Sequence, residues 1–144
     1  MFSLIITIVS IALVVALVAA TMYHGGDTLT QGRTTADAAA FVSGAQQVGG
    51  AAVMYLSLES QEATSVDQLV TKAYLASAPV VKGTALAIPA NAADANIVSS
   101  TVADAAVCEQ INKTAGATDP KNVADITGLA YGCITNGLKF QFKY

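Results

Sequence analysis

Cys108 and Cys133, 25 positions apart, are the residues best suited to covalent chemistry in this chain of 144 residues. One even pair of cysteines in a small chain reads as a disulfide formed outside the cytoplasm. The alternative is two buried thiols. A zinc site is disfavoured because the one histidine, His24, is remote in sequence from both sulfurs. The chain has no GxSxG, no Gly-rich phosphate loop, no HExxH and no CxxC. Its 10 acidic residues are scattered without the spacing of a catalytic carboxylate pair. His24 sits alone beside an apolar run, which fits an interfacial or packed role better than catalysis. The sequence therefore predicts no enzyme, with no catalytic, cofactor-binding or metal-binding residues. Asn112-Lys113-Thr114 is the one N-glycosylation sequon.

The elements that must position the cysteines follow from composition and pattern. The length leaves room for one domain, and roughly 118 residues remain after residue 26, enough for a modest core. Seven basic and 10 acidic residues give a net charge of −3 with no basic cluster, which argues against nucleic acid as the main partner. Charged residues make up 12% of the chain, about half the usual share for a soluble domain. Much of the surface is thus expected to be covered by lipid, by other copies of the chain, or by both.

The opening MFSLIITIVSIALVVALVAATMYHGG carries no fixed charge; the first acid is Asp27 and the first base Arg33. Residues 1–23 are long enough to cross a bilayer, which takes about 20 apolar residues as a helix. Three readings compete. A removable secretory signal would use Val18-Ala19-Ala20 as its cleavage site, but it lacks a basic n-region and its apolar run is long. A permanent membrane anchor fits the length. The third reading is a processed chain, its basic leader removed before Met1 and its apolar helix kept. Gly25 and Gly26 end the strongly apolar run, and each costs a helix about 1 kcal/mol relative to Ala.

Helical signals return over residues 34–58, with Thr34 or Thr35 as a candidate N-cap. Phe41, Ala45, Val48, Ala52, Tyr55 and Leu56 recur at steps of three and four and so share a face, read as a core face. Gly44, Gly49 and Gly50 weaken that helix unless close packing or a second break explains them. Two helical segments together would reach about 80 Å, too long for the remaining domain to cover.

In the rest of the chain, Ser65 caps a short helix that Pro79 stops. Residues 84–90 and 96–102 read as short strands, the first at a sheet edge because of Pro89, and residues 103–113 as a helix carrying Cys108. LAYGCIT and LKFQFKY flank Asn136-Gly137, which predicts a hairpin with a two-residue type I′ turn. Leu138, Phe140, Phe142 and Tyr144 alternate with Lys139, Gln141 and Lys143, predicting one core face and one wet face.

This arrangement of apolar N-terminal segment, second amphipathic helix and small C-terminal domain with two cysteines resembles a mature type IV pilin. Met1 as first residue is similar to the type IVb branch. The resemblance implies an α+β fold, with a long N-terminal helix (residues 1–58, of which 1–24 form the membrane and filament-core segment and 34–58 the amphipathic half) on a globular domain of residues 59–144 with a small antiparallel sheet and C-terminal hairpin. It implies that Cys108 and Cys133 are bonded, and that Gly25 and Gly26 mark a point where the helix loosens as subunits pack, the alternative being a plain linker between anchor and domain. It implies a processed N-terminus at Met1, with Met1, Phe2, Leu4, Ile5, Ile8, Val9, Ile11, Leu13, Val14 and Leu17 driving filament assembly. Partners would be the chain's own copies as a homopolymer, the membrane before assembly, a prepilin peptidase and a pilus assembly machinery. The location would be the cytoplasmic membrane and then the cell surface.

Ile5 departs from the family, which usually carries Glu there to meet the amine of a neighbouring subunit. A methylated, capped or carbonyl-paired amine is the expected replacement, and archaeal pilins, which often lack that acid, are a more distant likeness. The expected function is that of a major pilin in an extracellular type IV pilus-like filament. The alternatives are a minor pilin or secretion pseudopilin, and a membrane-anchored extracytoplasmic binding domain.

Overall fold

Helix-compatible residues run on past the paired glycines, and in the computed structural model α1 spans Phe2–Glu59, 58 residues. The structure describes residues 2–89 and 96–144, and of residues 24–27 the backbone alone. Gly25 and Gly26 lie inside α1, so the interruption expected there is absent. Helix propagation is cooperative, and the cost of two glycines is small beside the long helical runs on either side. Thr34 and Thr35 likewise lie within α1 and not at the start of a helix. The chain divides into two compact units, Met1–Arg33 and Thr34–Tyr144. The second takes in the amphipathic part of α1 together with residues 59–144.

The second unit is built on the inner face of α1. Ala38, Phe41, Ala45, Val48, Ala52 and Tyr55 are each no more than 3% exposed, as the three-and-four spacing predicts. Leu56 does not belong to that face: it is 41% exposed, because one step from Tyr55 turns its side chain about 100° away. Opposite the helix stands a three-stranded antiparallel sheet in the order β3-β5-β4, with β3 at Ile97–Thr101, β4 at Tyr131–Ile134 and β5 at Lys139–Lys143. Phe41 on α1 meets Phe140 at the centre of the sheet, ring centroids 5.7 Å apart.

Four shorter pieces close the fold. Helix α2 (Val66–Thr71) is capped by Ser65, whose side chain accepts from the Gln68 amide. It stops well before Pro79. Ala73 takes a left-handed φ of 62°, which brings Tyr74 edge-on against Tyr55 at 5.4 Å. Strands β1 (Val80–Val81) and β2 (Thr84–Ala85) form a minimal hairpin. The expected strand over 84–90 thus shrinks to two residues and a single bridge from Ala87 to Ser99; residue 90 lies outside the described residues. Helix α3 (Ala105–Ala115) starts at the Asp104 cap and ends at Gly116 in the left-handed conformation.

The C-terminal hairpin is present with a different turn from the expected one. Ile134 pairs with Lys139, leaving residues 135–138 as the loop. Positive φ falls on Gly137 (108°) and Leu138 (48°), not on Asn136. A two-residue turn would need Thr135 and Leu138 to bond each other. Both are engaged elsewhere: the Thr135 amide donates to the Val123 carbonyl at 3.0 Å, and the Leu138 carbonyl accepts from the Val102 amide at 2.7 Å. The tight turn with two positive φ values, which is what a type I′ turn requires, occurs instead at Lys82 (51°) and Gly83 (78°), between Val81 and Thr84. Lys82 also forms an ion pair with Asp37 on α1.

The outward face of the hairpin is less wet than its alternation predicts. Gln141 is buried because β5 is the central strand, flanked by Ser99 and Gly132, and Ile126 packs over that row. Lys143 stays exposed.

Close packing explains one helical glycine and leaves another free. A Cβ at Gly49 would lie 2.8 Å from the Tyr144 Cβ, whereas one at Gly50 would meet nothing within 4 Å. Gly50→Ala should therefore raise stability by up to about 1 kcal/mol, and Gly49→Ala should lower it despite the same gain in helix propensity. Paired denaturant melts check the opposite signs. Partial desolvation, then the neighbouring Glu59 carboxylate, hold the Tyr74 phenol above its ordinary range, and Tyr144 is raised by burial and then by Glu62. A raised value means that the folded state prefers the neutral phenol. That contribution is complete below about pH 10 and is lost as pH climbs through the raised values. The melting temperature should fall in that alkaline window, and fall less steeply in Tyr74→Phe.

Candidate functional site

Residues 2–23 form the first functional feature. An apolar helix surface normally faces a partner, yet Phe2, Leu4, Ile5, Ile8, Val9, Ile11, Leu13, Val14 and Leu17 are all between 52% and 85% exposed. They are distributed around the whole helix and do not form one stripe. Met1 and the side chain of His24 lie outside the described residues. The helix is long and apolar enough to cross a membrane.

Three of the hydroxyls in this segment bond back to its own backbone. Thr7 donates to the Ser3 and Leu4 carbonyls at 3.1 and 2.8 Å, Ser10 to Ile6 at 2.8 Å and Thr21 to Val18 at 2.9 Å. Apolar surroundings demand this, since an unpaired hydroxyl there costs several kcal/mol. At these three positions the hydroxyl proton needs no partner from the surroundings.

The second feature is the cross-link in the other unit. Cys108 on α3 and Cys133 on β4 form a disulfide with Cα atoms 5.3 Å apart. Both are fully buried. The bond ties a helix to an edge strand across 25 residues of chain, worth about 3.5 kcal/mol in the chain-entropy account. The Asn112 carboxamide lies one helical turn on. It accepts from the Cys133 amide at 2.7 Å and donates to the Cys133 carbonyl at 2.8 Å and the Pro120 carbonyl at 3.0 Å. Asn112 is fully buried, so the sequon at 112–114 offers no nitrogen to a glycosylating enzyme once the chain has folded. Sequence pattern held no signal for this role.

The remaining polar groups serve turns. A cavity of about 300 Å³ is lined by residues of the loop from Gly116 to Leu129, including Asp119 and Asp125. Asp119 accepts from the Lys121 amide at 3.2 Å and Asp125 from the Thr127 amide at 2.7 Å. The bond from Thr127 holds the Asp125 carboxyl below its usual range. Among the described residues, no three His, Cys, Asp or Glu side chains converge as metal ligands. On the other side, Ala38, Val42, Ile111 and Tyr131 help to line an apolar groove of about 240 Å³ between α1 and α3.

Reduction should lower the melting temperature of the Thr34–Tyr144 unit by on the order of 10 °C. Thermal melts of the detergent-solubilised chain with and without reductant measure it, and coincident curves would remove the staple from the account.

A long apolar N-terminal helix, a small antiparallel sheet and a disulfide make up a fold compatible with that of a pilin. Comparison with protein-family models, curated proteins and solved structures found no match to this chain.

Proposed function

We propose that the chain is the structural subunit of an extracellular filament of the type IV pilus kind, a major pilin that polymerises through its N-terminal helix. The observation that carries this reading is the uncovered, uncharged surface of residues 2–23, with the Thr7, Ser10 and Thr21 hydroxyls turned back on the helix. Such a surface is stable in only two settings, lipid and a bundle of similar helices. The subunit would wait in the cytoplasmic membrane in the first and enter the filament core in the second.

Moving an apolar helix from lipid into protein gains little hydrophobic energy, so assembly must rest on close packing. Small residues let helices approach, and Ala12, Ala16 and Ala20 at four-residue spacing provide a narrow stripe for it. With Ile5 where related subunits usually carry Glu, assembly would not use a side-chain carboxylate in this segment. The disulfide-pinned units would tile the outside, where an oxidised cross-link is at home.

Ile8→Lys places a charge in the core segment, at a cost of about 2.5–3.5 kcal/mol per subunit. Filaments in the sheared surface fraction, viewed by electron microscopy, should disappear in this variant while the disulfide and the melting of the Thr34–Tyr144 unit stay unchanged. Unchanged filaments, or surface material whose intact mass is that of a chain starting at Thr21, would overturn the reading. A wild-type chain that stays membrane-bound and never polymerises would be an anchored extracytoplasmic domain.

A further inference from the structure

We propose that Asn112 substitutes for a missing neighbouring strand: its carboxamide closes the free edge of β4 against strand addition by a second copy of this chain and holds Cys133 where Cys108 reaches it. β4 is a terminal strand in the order β3-β5-β4. Alternate residues of such a strand turn their N–H and C=O groups outward, and an open row of them is a template for pairing with another chain. These outward positions are 131 and 133 on β4 and 135 just past its end. Cys133, the middle one, exchanges two bonds with one carboxamide, N–H to Oδ1 at 2.7 Å and Nδ2 to carbonyl at 2.8 Å. That is the pattern a partner strand's peptide groups would supply. Thr135 is covered by Val123, to whose carbonyl both its amide and its hydroxyl donate, at 3.0 and 3.1 Å. With 133 and 135 taken, an incoming strand has no register in which successive outward groups are free.

Why a carboxamide is used follows from donor and acceptor count. The position must accept from one N–H and donate to two carbonyls, Cys133 and Pro120. Asn does both at once without charge. A leucine would fill the space and leave three backbone groups unpaired, and an ionised aspartate could accept but not donate. The inference concerns the folded unit alone and stands whether or not the chain polymerises through its N-terminal helix.

The test uses the full chain in detergent micelles, with Asn112→Ala, Asn112→Asp and, as a control for general destabilisation, Val107→Ala on the same helix. Amide exchange over 131–135 and dye-detected β-association are followed. Asn112→Ala should lose protection over 131–135 by about tenfold or more relative to Val107→Ala, and should form β-paired oligomers that the control does not. Asn112→Asp separates edge closure from packing. Burial raises the pKa of a carboxyl, and the protonated acid regains a donor beside an acceptor. Its protection factors over 131–135 should therefore recover as pH falls toward 4 and be lost as pH rises through the raised value, a trend the wild type lacks. Protection in Asn112→Ala equal to the control's, or an Asp variant with no acid recovery, would overturn the proposal. If Asn112→Ala fails to fold, the acid recovery of Asn112→Asp decides alone.

Discussion

An apolar helix surface must be covered, and the two parts of α1 meet that requirement differently. From Ala38 to Tyr55 the chain covers its own helix: Phe41 lies against Phe140, Tyr55 against Tyr74, and Gly49 allows the end of the chain to approach the backbone. Over residues 2–23 the large apolar side chains stand exposed, between 48% and 85%. A soluble monomer would bear the full cost of hydrating that surface, at about 25 cal/mol per Å². The proposed membrane and filament settings are both answers to that one cost.

The same logic governs the small sheet. Three short strands leave two edges, and backbone groups at an edge must find partners or remain open to other chains. β3 is met by Ala87, which exchanges two backbone bonds with Ser99 at 2.8 Å, and by the Ser100 hydroxyl, which donates to Ala85 at 3.2 Å. β4 is met by Asn112 and Val123. The disulfide between α3 and β4 sits beside the Asn112 bonds, so covalent and hydrogen-bonded restraints act on one strand. A unit of this size with a modest core gains much from such staples.

Loop residues do much of this work, which is why several side chains that look like candidates for chemistry are structural. Asp119 and Asp125 hold turns of the 116–129 segment, Asp37 meets Lys82 at the tip of the β1–β2 hairpin, Ile126 packs over Gly132 on the outward side of the sheet, and Val123 is buried with its carbonyl bonded to Thr135. Each is a short-range polar residue or an isolated hydrophobe in a polar stretch, and neither kind produces a periodic signal.

Local pattern alone determined the helical face from Phe41 to Tyr55, the Ser65 cap, strand β3, helix α3 and the C-terminal hairpin, because each depends on periodicity or on groups a few residues apart. It also determined that residues 2–23 belong to a helix long and apolar enough to cross a membrane, since length and composition set that wherever the segment lies. Tertiary structure decided the rest. The turn at 135–138 was settled by Val123 and Val102, which take the bonds a tight turn would use. The end of α2 was settled by the packing of Tyr74, the burial of Gln141 by the central place of β5, and the work of Asn112 by its distance from Cys133 in space, 21 residues away along the chain. Competition for hydrogen bonds between segments far apart in sequence leaves no trace in either segment by itself, and it appears only once folding brings them together.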